Sequence, residues 1–568
     1  MYSIHSVDFN LNAKSTFEMK DGSSVCFMEY YEKKYNKKLT NPQQPLIIHK
    51  RKKDGGLIHL IPELCVLTGQ SDDMRQNFQL QKDLNQLIKP RPQQRLEEAQ
   101  RLLQILAEND KTKEMLKKWD IATSLDPLKV EGLKIEAGNI ILGRQQSFSL
   151  EITPDFDRKV QTEMLEQQEI KRIGVFYSSR DKETLRTFMD TLQKCVETFN
   201  YPMGQPKEFA IEGKSYDDWE KVMKANLNPS VQAVILLLPG RKKNGMHYDE
   251  IKRFLLTQCP VPSQVVLVST IQAGKNLRSI INKVLIQICA KVGGTPWSVS
   301  EFPLTDKPTS VVGIDVFHRT SMRSNSLLAY CATMNKHLSR YWSTIDQHGP
   351  GEELGKGIQT AVKNSLLAFK ETNGMFPQRL IVFRDGVSDS QRKTLLEIEV
   401  KGFLRAFDEL RSEGLEKNPE FIFICANKRI NSKFFQGDSL QREGLRNPDQ
   451  GTVVSDEITT NQDFYLISQK TNQGSASPTH YYILSYYHYE GEDYVDSAED
   501  LPEPLKRQIQ ILTYKMCYMY YNWSGSIRVP APIQYAHKLS NLIGDRWKPN
   551  VNMIPHKVYE KYKSLYFI

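Results

Sequence analysis

From Ile170 onward, short apolar runs of strand character alternate with segments of helical period. Ile170–Tyr177, Val231–Leu238 and Gln264–Ser269 read as buried strands, with helices expected over Asp181–Thr198 and Ser215–Leu227 and a Gly293-Gly294 turn closing the unit. A second unit repeats the arrangement, with strands at Ser310–Phe317, Leu380–Phe383 and Phe421–Ala426. Helices over Glu353–Thr372 and Asp389–Arg411 separate them. Such alternation is the signature of α/β units with parallel sheets. A chain of 568 residues is too long for one hydrophobic core, so three or four packed units are expected.

The first 165 residues lack this alternation. Residues 1–50 read as a short α+β piece, in which the aromatic-rich Ser24–Tyr31 is expected as a strand. Arg51–Gly56 is a turn candidate, and Ser71–Leu106 has helical spacing, with Pro90 and Pro92 dividing two helices. Further on, the acidic Gly491–Pro504 reads as a loop or an exposed helix start.

Composition narrows the class. Eight cysteines stand singly, with no C-x-x-C pair, which indicates neither a zinc ribbon nor a dithiol redox site and suits a reducing compartment. The longest apolar runs, such as Ala233–Pro239, fall far short of the ~20 residues that span a bilayer, and no signal-peptide core opens the chain. A soluble intracellular protein without membrane partners is expected, cytoplasmic, with the nucleus as the alternative. The net charge of +9 is modest, but residues 201–300 hold 13 Lys and Arg against 7 Asp and Glu, including Arg241-Lys242-Lys243. That excess fits either a solvated basic surface or a phosphate-binding region.

Acidic residues at strand ends carry the chemistry. Val311-Val312-Gly313-Ile314-Asp315-Val316 is an apolar strand with one carboxylate inside it, and an ionised Asp is costly to bury unless paired or bound to a metal. Leu380-Ile381-Val382-Phe383-Arg384-Asp385-Gly386 puts a second Asp at the C-terminal end of an apolar strand. Ligands of open α/β sheets gather beyond such ends, and two carboxylates converging there suit Mg²⁺ or Mn²⁺. Singly, each has a blander explanation: Asp385-Gly386 is a common turn signal, and Asp315 could pair with a buried arginine. His348-Gly349-Pro350-Gly351-Glu352-Glu353-Leu354 adds a glycine-rich loop with two acids at a helix start, where the macrodipole alone favours acids. Ala531–Leu539 is a proline-rich helix entry bearing one histidine, His537, a residue type more often structural than ligating in such a place.

Together these segments resemble a known family. Gly313-Ile314-Asp315-Val316, Phe383–Gln391 and Arg528–Leu539 look like the PIWI-domain motifs of Argonaute proteins, in the family's order. The resemblance implies an RNase H-like fold and an Asp-Glu-Asp-His tetrad: Asp315, Asp385 and His537, with a mobile glutamate within His348–Leu354. Position along the helix selects Glu353 over its neighbour Glu352. Asp315, Asp385 and His537 would hold two Mg²⁺ (or Mn²⁺) ions, and hydrolysis of RNA would leave 5′-phosphate and 3′-hydroxyl ends.

The preceding unit then looks like the family's Rossmann-like MID domain, through Tyr248–Arg253, Pro262–Val266 and Gln287–Gly294. By resemblance Tyr248 stacks on the first base of a guide RNA, and Lys252, Gln264 and Lys291 contact its 5′-phosphate. Gln287, where many relatives outside the clade have Lys, is of the Piwi type; in that clade a metal ion with the C-terminal carboxylate, here Ile568, is thought to supply the missing charge. Pro62–Phe78 resembles the Piwi-clade linker, and Lys14–Phe17 with Tyr30–Tyr35 the tail of a PAZ domain, making Tyr30 and Tyr35 candidates for the guide's 3′ end. The organisation implied is a PAZ remnant over 1–50, a helical linker over 51–165, MID over 166–298 and PIWI over 299–568. The N-domain and most of PAZ would lie outside this chain. The function implied is small-RNA-guided silencing through cleavage of complementary target RNA, with a piRNA-like guide. Guided binding that recruits silencing proteins without cleavage is the alternative.

Overall fold

The computed structural model describes residues 2, 4–19, 22–51, 55–66, 68–70, 74–75, 77–240, 247–274, 276–318, 326–348, 354–386, 388–437, 444–544 and 564–568. It divides the chain into two units, Met1–Lys89 and Pro90–Ile568.

In the first unit Pro45–Lys50 is the middle strand of three, antiparallel to both Ser6–Asn12 and Leu57–Leu60. That pairing carries the unit past residue 50, where the sequence suggested a boundary, because Leu57–Leu60 completes the sheet. The expected strand over Ser24–Tyr31 is corrected: Ser24–Cys26 pairs with Thr16–Glu18, and Phe27–Tyr35 is an α-helix. The Cys26 thiol caps it by accepting from Glu29 N, Lys33 and Lys34 occupy its last turn, and Phe27, Met28 and Tyr31 meet the small core of Ala13, Leu46 and Ile61. Aromatic content suggested a strand, whereas spacing at 3.6 residues decided the outcome. Arg51 N donates to Gly56 O at 2.8 Å; Lys52, Lys53 and Asp54 lie outside the described residues. Phe78–Ile88 is helical, and a separate helix starts at Pro92, as the two prolines require.

The second unit contains two larger sheets. In one, four parallel strands run in the order Lys207–Ile211, Ile173–Ser178, Ala233–Leu238, Ser263–Leu267, the order of a doubly wound α/β sheet. Alternate residues serve opposite faces. Val175, Tyr177, Ile235 and Leu237 join the main core with Leu185, Phe188 and Leu285 of the helices Lys182–Phe199 and Leu277–Lys291. Phe176, Val234 and Leu236 join Trp219, Met223, Ile251 and Phe254 of the helices Tyr216–Asn226 and Tyr248–Thr257. Covered on both faces, these strands read as unbroken apolar runs.

The other is a mixed sheet of ten strands among the described residues. At its centre Thr309–His318, Arg379–Asp385 and Glu420–Asn427 are parallel neighbours, flanked antiparallel by Ser326–Thr333 and Thr479–Glu490. Ile314 pairs with Arg384, so Asp315 comes level with Asp385 at the strand ends. The helix Ala531–Gly544 lies against the Gly313 face, where an added Cβ would meet the Pro532 carbonyl and the Ile533 amide. The helix Leu354–Asn373 covers the other face, tied by the Tyr330 and Ser365 hydroxyls at 3.0 Å. Within the acidic stretch Gly491–Pro504, Asp493–Asp496 forms a hairpin strand on Tyr487–Glu490 before the helix Glu503–Met516 begins. Among the described residues no helix is long and apolar enough to cross a membrane.

Candidate active site

Asp315 and Asp385 stand on adjacent parallel strands, and His537 reaches them from the helix packed on the same sheet face. One ligand atom of each lies within 4.8 Å of the others. Asp315 Oδ2 takes two hydrogen bonds from that helix, from Ser540 Oγ at 2.6 Å and from His537 Nδ1 at 3.2 Å. Burial works against its charge, but the bonds from His537 and Ser540 and the positive charges of His537 and Arg384 outweigh it and hold the carboxyl below its usual range. The far ring nitrogen, His537 Nε2, sits 3.1 Å from Asn541 Nδ2.

Arg384, one residue before Asp385, points to the opposite face. Its Nε and NH2 meet the carboxylate of Glu399 at 2.9–3.1 Å, and its NH1 donates to Asp385 O at 2.6 Å. Glu399 sits in a π-helical turn, Leu396–Val400, between α-helical segments. The wider turn buries two consecutive side chains, Glu399 and Val400, each 1% exposed. The acid that pairs with Arg384 is thus inserted without loss of core packing.

Asp385 is 5% exposed, and its two oxygens differ. Oδ2 accepts from Lys428 Nζ at 2.6 Å, whereas Oδ1 has no hydrogen-bond partner among the described residues. Lys428 follows the third parallel strand, and Arg528 NH2 holds its carbonyl at 2.5 Å. A buried carboxylate oxygen without a donor is costly, and here a cationic ammonium already occupies the other oxygen. Two carboxylates and an imidazole of this spacing therefore fit a small divalent cation, through hard oxygen ligands and one nitrogen.

A second cluster lies at the start of the strand Ser263–Leu267. Lys252 Nζ donates to Ser263 O and Oγ at 2.8 and 2.9 Å, and Lys291 Nζ to Ser263 O at 2.9 Å and Gln264 Oε1 at 2.6 Å. Both lysines are buried, and among the described residues no carboxylate pairs with either. Burial lowers Lys252 to about 8; burial, then the neighbouring Lys252 charge, pulls Lys291 well below its ordinary value. Two ammoniums desolvated side by side without a counter-charge make a site for an anion. Gln287, one turn before Lys291, donates to Asn522 Oδ1 at 2.7 Å, and Tyr248 opens the Lys252 helix, half-buried. Ser564 Oγ bonds Lys291 O at 2.6 Å, tying the segment that ends at Ile568 to this helix end.

Glu352, Glu353 and the basic run at 241–243 lie outside the described residues. Tyr30 and Tyr35 share the Phe27–Tyr35 helix with ring centroids 6.1 Å apart, and Lys34 Nζ donates to Tyr30 OH at 2.7 Å. Sequence reasoning missed Lys428, Ser540, Asn541 and Glu399. Signals existed for three of them: Lys428 closes a third apolar strand beside Asp385, and Ser540 and Asn541 stand three and four residues beyond His537 on its helix.

Comparison with known proteins follows the same motifs. The Piwi domain family matches residues 233–548, and the PAZ domain family residues 1–89. The chain is 32% identical over 564 residues to Piwi-like protein 1 of Gallus gallus, covering 97% of this chain and 62% of that one. It is 31% identical to Protein piwi of Drosophila melanogaster over 572 residues, covering 99% and 64%. It thus spans less than two thirds of the length of these relatives. The crystal structure of Drosophila Piwi superposes with a TM-score of 0.74 at 28% identity, covering all of this chain and 72% of that one. Kluyveromyces polysporus Argonaute with a guide RNA gives a TM-score of 0.71 at 18% identity, over 95% of this chain and 64% of that one, a likeness of fold. The expected multidomain α/β architecture, a doubly wound unit followed by an RNase H-like one, is the one these proteins share.

Proposed function

Because this chain belongs to the Piwi clade of the Argonaute family, we propose that it binds the 5′-phosphate of a small, piRNA-like guide RNA and cleaves RNA paired to that guide. The observation that supports cleavage most directly is the convergence of Asp315, Asp385 and His537, with one buried oxygen of Asp385 left without a donor. These three residues would hold Mg²⁺ or Mn²⁺, and Glu353 is proposed as the fourth member. When bound, the ions would supply an activated water for in-line attack and charge neutralisation at the leaving oxygen, giving 5′-phosphate and 3′-hydroxyl ends. The protein's own part is to fix the ligands. Ser540 holds Asp315, the Arg384–Glu399 pair holds the Asp385 backbone, and Lys428 occupies Asp385 Oδ2 and leaves Oδ1 open.

Guide binding is assigned to the unit over 166–298 and cleavage to 299–568. Lys252 and Lys291 would neutralise the 5′-phosphate with Gln264 beside them, Tyr248 would stack on the first base, and Gln287 and the Ile568 carboxylate would complete the pocket. Tyr30 and Tyr35 are proposed for the guide's 3′ end.

The test is cleavage of a complementary RNA by protein loaded with a 5′-phosphorylated guide in Mg²⁺. Asp315→Ala should abolish cutting and leave guide binding intact; tight guide binding without any cutting by the wild type rejects the cleavage reading. A second reading, guided binding that recruits silencing proteins, draws on the anion pocket being built without any residue of the metal centre. Undiminished silencing by Asp385→Ala would select it.

A further inference from the structure

Ser540 and Asn541 stand one helical turn after His537, outside every motif that identified the site, yet they complete a closed chain of contacts. Asn541 Nδ2 lies 3.1 Å from His537 Nε2, His537 Nδ1 lies 3.2 Å from Asp315 Oδ2, and Ser540 Oγ returns to that same oxygen at 2.6 Å. Residues four apart on a helix share a face, so Asn541 reaches the ring without distortion. Neither Asp315 nor Asp385 touches Nε2 in these contacts.

We propose that Asn541 is the positioning residue of the metal centre, gripping the His537 ring at its outer nitrogen. This rests on the metal-centre reading above. A neutral imidazole has one donor and one acceptor nitrogen. Nδ1 faces the Asp315 carboxylate, and Nε2 faces the Asn541 amide, which can donate through Nδ2 or accept through Oδ1. A neutral ring that offers a lone pair at Nδ1 carries its proton at Nε2. The Asn541 side chain can follow: half a turn about its Cβ–Cγ bond presents Oδ1 in place of Nδ2 and accepts the Nε2–H. Both states of the ring are then held by one uncharged side chain. A leucine at 541 would hold neither, and an aspartate only the ligating one. Ligating histidines generally donate their other N–H to such an acceptor, and loss of that partner typically costs about 10–100-fold in metal affinity.

The test is Mn²⁺ titration of the full chain by electron paramagnetic resonance, with ¹⁵N-histidine spectra of the metal-free protein assigned through His537→Gln. Asn541→Leu should weaken Mn²⁺ binding by about tenfold or more and shift the ¹⁵N signals of the His537 ring. Asn541→Asp should tighten binding and hold the proton at Nε2; the spectra separate this effect from the added charge. Unchanged Mn²⁺ affinity and unchanged His537 ring signals in the leucine variant would overturn the proposal. Asp385→Asn distinguishes the two levels. If wild-type Mn²⁺ binding is absent or survives that substitution, the metal-centre reading falls and this inference with it. If binding is lost in Asp385→Asn but intact in Asn541→Leu, this inference alone falls.

Discussion

Arg384 and Glu399 form a buried ion pair on the sheet face opposite the Asp315 and Asp385 carboxylates, with the guanidinium also holding the Asp385 carbonyl. Removing one partner strands the other charge in the core. Glu399→Gln should cost about 3–5 kcal/mol of stability, read by urea unfolding, whereas replacing both residues with apolar ones of similar volume should cost less than either single change. A double variant less stable than both singles would refute the pairing.

Lys428 offsets the charge of Asp385 that a cation at Oδ1 would draw on. Its charge-assisted hydrogen bond to Oδ2 belongs to a class worth about 1.5–3 kcal/mol, discounted here because the lysine side chain is 27% exposed. Lys428→Met should therefore tighten Mn²⁺ binding by roughly tenfold, about 1.4 kcal/mol. Calorimetric titration at fixed ionic strength measures it, and equal or weaker binding rejects the offset.

Gly313 gives the His537 helix its approach to the sheet. The Cβ of Gly313→Ala would fall against backbone atoms of Pro532 and Ile533, which cannot swing aside as a side chain can. A loss of about 1–3 kcal/mol is expected, together with weaker Mn²⁺ binding because the helix moves off the carboxylates. Stability and metal affinity that both match the wild type would contradict this packing.

The buried lysines make phosphate binding sensitive to pH in an unusual range. Lys252 titrates near 8 when folded, against about 10.4 in an unfolded chain. Between these values the unfolded chain binds a proton that the folded one does not, so stability of the unliganded protein rises with pH through that window and the contribution is flat below it. Ligand binding runs the other way: affinity for a 5′-phosphorylated oligonucleotide should fall as pH climbs past about 8, while a 5′-hydroxyl control changes little. Thermal shifts with each oligonucleotide across this range check both trends.

Much of the ten-stranded unit was legible because its central strands are covered on both faces and read as apolar runs in which an acid stands out, as Asp315 does. Asp315, Asp385 and His537, which the fold brings together, could be named because each lies in a short contiguous motif. What stayed hidden depends on distant partners. Nothing local to Glu399 marks it as the mate of Arg384; the π-helical turn that buries it is a response to packing. Lys428 looks like an ordinary charge after a strand until the register sets it beside Asp385. The Phe27–Tyr35 helix was misread because aromatic content was weighed above spacing. Glu353 lies outside the described residues, so its assignment still stands on the motif.

The cluster of Asp315, Asp385 and His537 also imposes an order of assembly. Both carboxylates sit on parallel strands that pair with one another, but His537 follows Asp315 by 222 residues and arrives on the helix Ala531–Gly544. During synthesis from N- to C-terminus, a nascent polypeptide halted before that helix carries two acids side by side and no imidazole. The cluster of two carboxylates and one imidazole therefore cannot close until the helix Ala531–Gly544 has followed both strands.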